Sequence, residues 1–128
     1  MPAPYPVYVV DDDPEVREWI LLLCQDQGMA GTDFAGGEAF LAAADALAPG
    51  CVLLDMRMPG LSGLQVQAEL GRRGLNMAVV AMTGYGGVAT AVRSMKLGAV
   101  DFLEKPFGSD ALLAALAAAG TRLDRSRG

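Results

Sequence analysis

Asp11, Asp12, Asp55, Thr83 and Lys105 are the residues of this 128-residue chain whose types and positions could do chemistry together. Each stands at the end of a short β-rich run. Asp11 and Asp12 follow Tyr5 to Val10, Asp55 follows Cys51 to Leu54, Thr83 follows Met77 to Met82, and Lys105 follows Val100 to Glu104. If those runs are parallel strands, the five side chains collect at the carboxyl edge of the sheet, where ligands of such sheets sit. Like charges a few Å apart repel by several kcal/mol at intermediate dielectric, so three clustered carboxylates call for a cation. Hard oxygen donors favour Mg2+, which keeps several waters and takes one or two carboxylates. Taken singly, an aspartate after a strand most often caps a helix, and Asp13 is read as that alone. No capping or turn rule puts all five at the strand ends of one edge.

The elements that must position them alternate along the chain. Tyr5 to Val10 is a continuous apolar run, the pattern of a strand covered on both faces. Pro14 opens a helix with Asp13 as its N-cap, Val16, Ile20, Leu23 and Cys24 as its apolar stripe, and Gly28 as its end. Residues 30 to 34 form a weak second strand, and a second helix runs from about Glu38 to Leu47, stopped by Pro49 and Gly50. After the strand Cys51 to Leu54 and the loop MRMPGLS, Ser62 and Gln65 form a capping box for a third helix. The fourth strand, Met77 to Met82, leads through Gly84, Gly86 and Gly87 to a fourth helix ending near Gly98. In that helix Val88, Ala91 and Met95 have the spacing to pack onto the sheet, and Val92 and Lys96 share a neighbouring face. The fifth strand is Val100 to Glu104, the last helix runs from about Asp110 to Leu123, and the tail DRSRG is expected to fray. Five strands alternating with five helices give an α/β fold with a parallel sheet and right-handed crossovers.

Composition limits the function. The chain is 52% hydrophobic and 20% charged, enough apolar content to bury a core and to exclude disorder. Ten basic residues against fifteen acidic ones give a net charge of −5, which argues against direct nucleic-acid binding by this segment. The absence of His removes His-based acid/base chemistry and the usual zinc sites. No apolar run is long enough to span a membrane, and the N-terminus lacks the pattern of a signal peptide, so a soluble, cytoplasmic protein is expected. Cys24 and Cys51 lie in apolar surroundings and read as two reduced core thiols rather than a disulfide.

The segments VVDDD at 9–13, LLDMRMPGLSG at 53–63, AMTGYG at 81–86 and DFLEKPF at 101–107 resemble the receiver domain of bacterial two-component response regulators. The resemblance covers essentially the whole chain, and TGYGGVATAVRSMKLGAVDFLEKPF is most similar to the subfamily usually fused to a LuxR-type helix-turn-helix output domain. It implies a flavodoxin-like (βα)5 doubly wound sheet of five parallel strands in the order 2-1-3-4-5, with residues 1–123 as the receiver and 124–128 as a polar tail. It implies that Asp55 is the phosphoacceptor for a sensor histidine kinase, with Thr83 and Lys105 holding phosphoryl oxygens. Asp12 and Asp55 would bind Mg2+ directly, Asp11 through water, and Arg57 through its backbone carbonyl, with Mn2+ able to substitute. Thr83 and Phe102 would form the switch, although Phe102 read alone is an ordinary core aromatic. Arg57 and Tyr85 would flank the acyl phosphate, and the Lys105-Pro106 bond would be cis to aim the lysine at Asp55. Kinases would dock on a surface including Val16, Trp19 and Phe107. The fourth-helix and fifth-strand face would bind a partner on phosphorylation, most simply a second receiver. The chain would not be an enzyme beyond its own phosphorylation and dephosphorylation, and its output would be transcription regulation if fused to a DNA-binding domain, or partner binding if stand-alone.

A rival reading rests on GYGGVA at 84–89, which fits a dinucleotide fingerprint through Gly84, Gly86 and Ala89, with Asp101 as the ribose-binding acid. It leaves Asp11, Asp12, Asp55 and Lys105 without a role.

Overall fold

The computed structural model describes residues 5–127 and forms one parallel sheet wrapped by helices on both faces. Its strands are β1 (Val7–Val10), β2 (Gly31–Phe34), β3 (Gly50–Asp55), β4 (Met77–Thr83) and β5 (Asp101–Glu104), and its helices are α1 (Pro14–Asp26), α2 (Gly37–Ala44), α3 (Gly63–Arg73), α4 (Val88–Lys96) and α5 (Ser109–Arg127). The order across the sheet is β2-β1-β3-β4-β5, the flavodoxin-like arrangement that the receiver resemblance implied.

The chain crosses between β1 and β3 in this order, and that reversal opens a crevice at their carboxyl ends. Along β1 the side chains alternate. Val7 and Val9 belong to the core cluster that holds Ile20 and Cys24 of α1 and Leu112, Leu116 and Leu123 of α5. Tyr8 and Val10 pack with Phe40 of α2 and with Val66 and Leu70 of α3. The central strands β1 and β3 are buried throughout, which is why they read as unbroken apolar runs. The edge strand β2 is largely exposed and correspondingly weak in sequence.

Local signals hold where predicted. The Asp13 side chain accepts from the Glu15 N–H at the start of α1, and Ser62 and Gln65 form the full capping box of α3. Cys24 and Cys51 are both buried free thiols, and burial raises the pKa of each. The Lys105-Pro106 bond is cis.

Three expectations change. Helix α2 stops at Ala44 because the next N–H groups, of Ala46 and Leu47, bond to carbonyls three residues back, a tighter turn than the α-helix. Residues 124–127, expected as a frayed tail, are helical and continue α5, where Asp124 accepts a 2.6 Å hydrogen bond from the Tyr5 hydroxyl; Gly128 lies outside the described residues. In α4, Val88 and Met95 face solvent at 63% and 40% exposure, and Ala91 and Ser94 are the buried pair. Apolar periodicity misplaces this face because it counts Ser94 as a surface residue, whereas Ser94 finds a buried partner in Gln67 of α3.

Candidate functional site

The five residues singled out by type do meet at the carboxyl edge. Asp11 is fully buried at the end of β1 and Asp55 nearly so at the end of β3, while Asp12 beside them is exposed. Oxygen atoms of Asp11, Asp12 and Asp55 all lie within 4.8 Å of one another. Lys105 reaches in from beyond β5, its Nζ 2.7 Å from Asp11 Oδ2 and 3.6 Å from Asp55 Oδ2. A backbone bond of 2.7 Å from the Lys105 N–H to the Thr83 carbonyl oxygen ties the lysine loop to the end of β4.

Further contacts fix the carboxylates. The Asp13 N–H donates to Asp11 Oδ1 at 2.9 Å, and the Arg57 N–H donates to Asp55 Oδ1 at 3.2 Å. Each loop thus curls its own backbone back onto the carboxylate two residues earlier, an Asx turn. Arg17 of α1 was not singled out from the sequence. Its Nη1 donates to the Asp11 carbonyl oxygen at 2.8 Å while its Nε pairs with Asp33 of β2 at 2.9 Å. Glu38 was also missed: it accepts from the Leu61 N–H and so anchors the loop after β3. Both act on backbone groups, which residue types do not advertise.

The electrostatics follow from this crowding. Burial first, and then the charge of Asp11, push Asp55 up from 3.8 to about 6; the Arg57 N–H and Lys105 oppose the rise, and Asp12 adds to it. Burial disfavours the charge on Lys105, but the hydrogen bond and charge of Asp11 with the charge of Asp55 outweigh it, so its pKa is raised. The ammonium is therefore held charged between two carboxylates, and without further positive charge the triad remains under strain.

Asp55, Thr83 and Lys105 line an open cavity of about 360 Å³ together with Met58, Ser62 and Thr90, of which the sequence singled out only Ser62, and that as a helix cap. Two glycines let its walls close up. A Cβ on Gly63 would sit 2.5 Å from the Asp55 carbonyl oxygen, and one on Gly87 would sit 2.8 Å from Thr83 Cβ. Thr83 is buried, and its hydroxyl makes only a long 3.5 Å hydrogen bond to the Leu103 carbonyl oxygen. Arg57 and Tyr85 stand at the rim with exposed side chains, Tyr85 almost entirely so.

Phe102 is 42% exposed on β5 and is not a core aromatic. Trp19 is 40% exposed and packs against Phe107 with ring centroids 5.8 Å apart. Both line a second cavity of about 550 Å³ with Val16, beside Lys105. The dinucleotide reading fails on register. Asp101 opens β5 opposite Val80, three residues below Thr83, so it lies about 10 Å from the edge where the Gly84–Gly87 loop begins. A ribose-binding acid belongs at the same edge as the glycines.

A doubly wound sheet in this order, with an acidic cluster and a lysine at its switch point, defines a receiver of the flavodoxin-like class. The chain belongs to the response regulator receiver domain family, whose pattern matches residues 7–117. It is 51% identical over 118 residues to the transcriptional regulatory protein FixJ of Azorhizobium caulinodans, covering 92% of this chain and 56% of that protein. To FixJ of Bradyrhizobium diazoefficiens it is 43% identical over 113 residues, covering 88% and 55%. The chain therefore spans about half the length of the curated relatives it matches. Among solved structures it superposes on one described as FixJ-N with a TM-score of 0.88 at 37% identity, covering 94% of this chain and 96% of that one. On full-length FixJ from B. japonicum the TM-score is 0.91 at 39% identity, covering 98% and 62%. The similarity to FixJ proteins agrees with the subfamily that the sequence resembles. Among the described residues no helix is long and apolar enough to cross a membrane.

Proposed function

We propose that this chain is the phosphoacceptor of a cytoplasmic two-component system and that Asp55 takes the phosphoryl group. The observation that carries the reading is the lysine ammonium 2.7 Å from Asp11 and 3.6 Å from Asp55, at an edge where three carboxylates crowd together. An Asp55 oxygen attacks the phosphorus of a histidine kinase's phosphohistidine. The O–P bond forms as the P–N bond breaks, and the imidazole leaves as the kinase's neutral side chain after taking a proton.

The donor set fits Mg2+: all of its side-chain atoms are hard oxygens, and two of the three residues are buried aspartates with a net excess of negative charge. Asp12 and Asp55 would hold the ion directly, Asp11 through water, and the Arg57 carbonyl would complete the protein's share; Mn2+ would serve in its place. When bound, the ion offsets charge on the transferring oxygens. Lys105 shifts from Asp11 toward the new phosphoryl oxygens, and Thr83 exchanges its long bond to Leu103 for a charge-assisted one.

Residues 1–123 act as the receiver, and α5 carries the chain onward through residues 124–127. The α1 surface of Val16 and Trp19, with Phe107, receives the kinase through an exposed aromatic anchor. Val88, Val92, Met95, Leu97 and Phe102 are all exposed and form the output face on α4 and β5. That face binds a second receiver once Asp55 is phosphorylated. The output is transcription regulation where the receiver is joined to a DNA-binding domain.

Incubation with acetyl phosphate should add one phosphoryl mass, and only with a divalent metal present. Asp55→Asn should abolish the gain. Undiminished labelling of that variant would refute the assignment.

A further inference from the structure

Helix α4 is fastened differently from its neighbours. Of its nine residues only Ala91 and Ser94 are buried, and it hangs between the Gly84–Gly87 loop and Gly98. Ser94 is wholly buried and faces Gln67 of α3, which is 6% exposed. Two reciprocal bonds join them. Gln67 Nε2 donates to the Ser94 carbonyl oxygen at 2.9 Å, and Ser94 Oγ donates to Gln67 Oε1 at 2.6 Å. The same carbonyl oxygen also accepts from the N–H groups of Leu97 at 3.1 Å and Ala99 at 3.0 Å. The Gln67 amide therefore caps the last turn of α4 from a separate helix.

Such a pair grips differently from an apolar stripe. Dispersion contacts weaken gradually as surfaces slide, whereas a buried hydrogen bond is lost within about an ångström and strands both partners. A helix held partly in this way, beside its packing on β4, has a defined seated position and a sharp threshold for leaving it, the property of a two-state element. The signal to leave can reach it directly. Thr90 lies one turn before Ser94 on the same helix and lines the cavity that contains Asp55 and Thr83.

We propose that the Gln67–Ser94 pair is a latch that holds α4 in its unphosphorylated seat and sets how much phosphoryl-site energy is needed to release the output face. This rests on the phosphoacceptor reading and adds to it the residues that set the threshold of the switch.

The test uses the full chain, its Ser94→Ala and Gln67→Leu variants, and the double variant, which strands no polar atom and guards against a folding failure. Amide hydrogen exchange without ligand reads the seat of α4. Titration with beryllofluoride in excess Mg2+, followed by the fluorescence of Trp19 beside Phe107, reads the threshold. In both single variants α4 amides should exchange about tenfold faster while α1 and α5 keep their protection, since opening of one element is local. The half-saturating beryllofluoride concentration should fall by about tenfold, because less of the binding energy is spent on conformational change. The double variant should move both readouts in the same direction, by less than the two single variants combined. A wild-type chain that responds to neither beryllofluoride nor acetyl phosphate overturns the phosphoacceptor reading and the switch with it. A responsive wild type whose three variants share its exchange and its threshold overturns the latch alone.

Discussion

Helices α4 and α5 flank the last strand and are built on opposite plans. The inner face of α5 carries Leu112, Ala115, Leu116, Ala119 and Leu123, all buried where α5 packs on β3, β4 and β5. That of α4 offers one alanine and one serine, and its larger apolar residues Val88, Val92 and Met95 look outward. Both helices have apolar residues in plenty, so composition does not separate them. The difference lies in which side those residues occupy. A helix with its apolar stripe inward is fixed for stability, and one with its apolar residues outward has surface to offer a partner. Lys105 sits on the loop between β5 and α5, and Thr83 leads through the glycine loop to α4, so the site stands between the deeply buried helix and the sparsely buried one.

The comparison can be broken most decisively at α5. Leu112→Ala should cost about 2–5 kcal/mol of stability, the range for emptying a fully buried leucine site. Urea denaturation measures it, and a loss below about 1 kcal/mol would show that α5 is no better anchored than α4.

Between the helices the sign reverses. Asp55 has a folded-state pKa of about 6 against an ordinary 3.8, so the folded chain binds its proton more tightly than the unfolded one. Stability from this group is fully present below about pH 4 and is lost as the pH rises through about 6. Ionised Asp55 therefore weakens the metal-free fold, and Asp55→Asn should stabilise it by about 1–3 kcal/mol at pH 8 and by much less at pH 5. Melting temperatures without divalent metal at the two pH values check this. For the same reason, Mg2+ should raise the wild-type melting temperature more at pH 8 than at pH 5, where protons compete for the ligands.

The smallest effect on stability belongs to α4. Val92→Ala should change stability by no more than about 0.5 kcal/mol, as for an ordinary surface position. The same substitution should weaken association of the phosphorylated chain in sedimentation. A large stability loss with unchanged association would place Val92 in the core and erase the contrast between the helices.

The sequence by itself determined the architecture and the chemistry of the edge. Alternating apolar runs and capped helices are local signals, and strands buried on both faces announce a parallel sheet because no polar face is left to read. The five reactive residues were legible because each stands at or just beyond the carboxyl end of a strand, and polar side chains gathered at one edge have no packing purpose. Resemblance to receivers then supplied the strand order and the proposed roles, which spacing alone does not give. Tertiary structure decided what depends on a partner distant in sequence. Arg17 became a clamp on the Asp11 carbonyl only when β2 brought Asp33 beside it, and Thr90 became a wall of the cavity only when α4 was seated. It also turned α4 around, because Ser94 is a surface residue by type and a core residue by virtue of Gln67, 27 positions earlier. Periodicity reports the average preference of each side chain for water, and a buried polar group departs from that average whenever the fold provides its hydrogen bond.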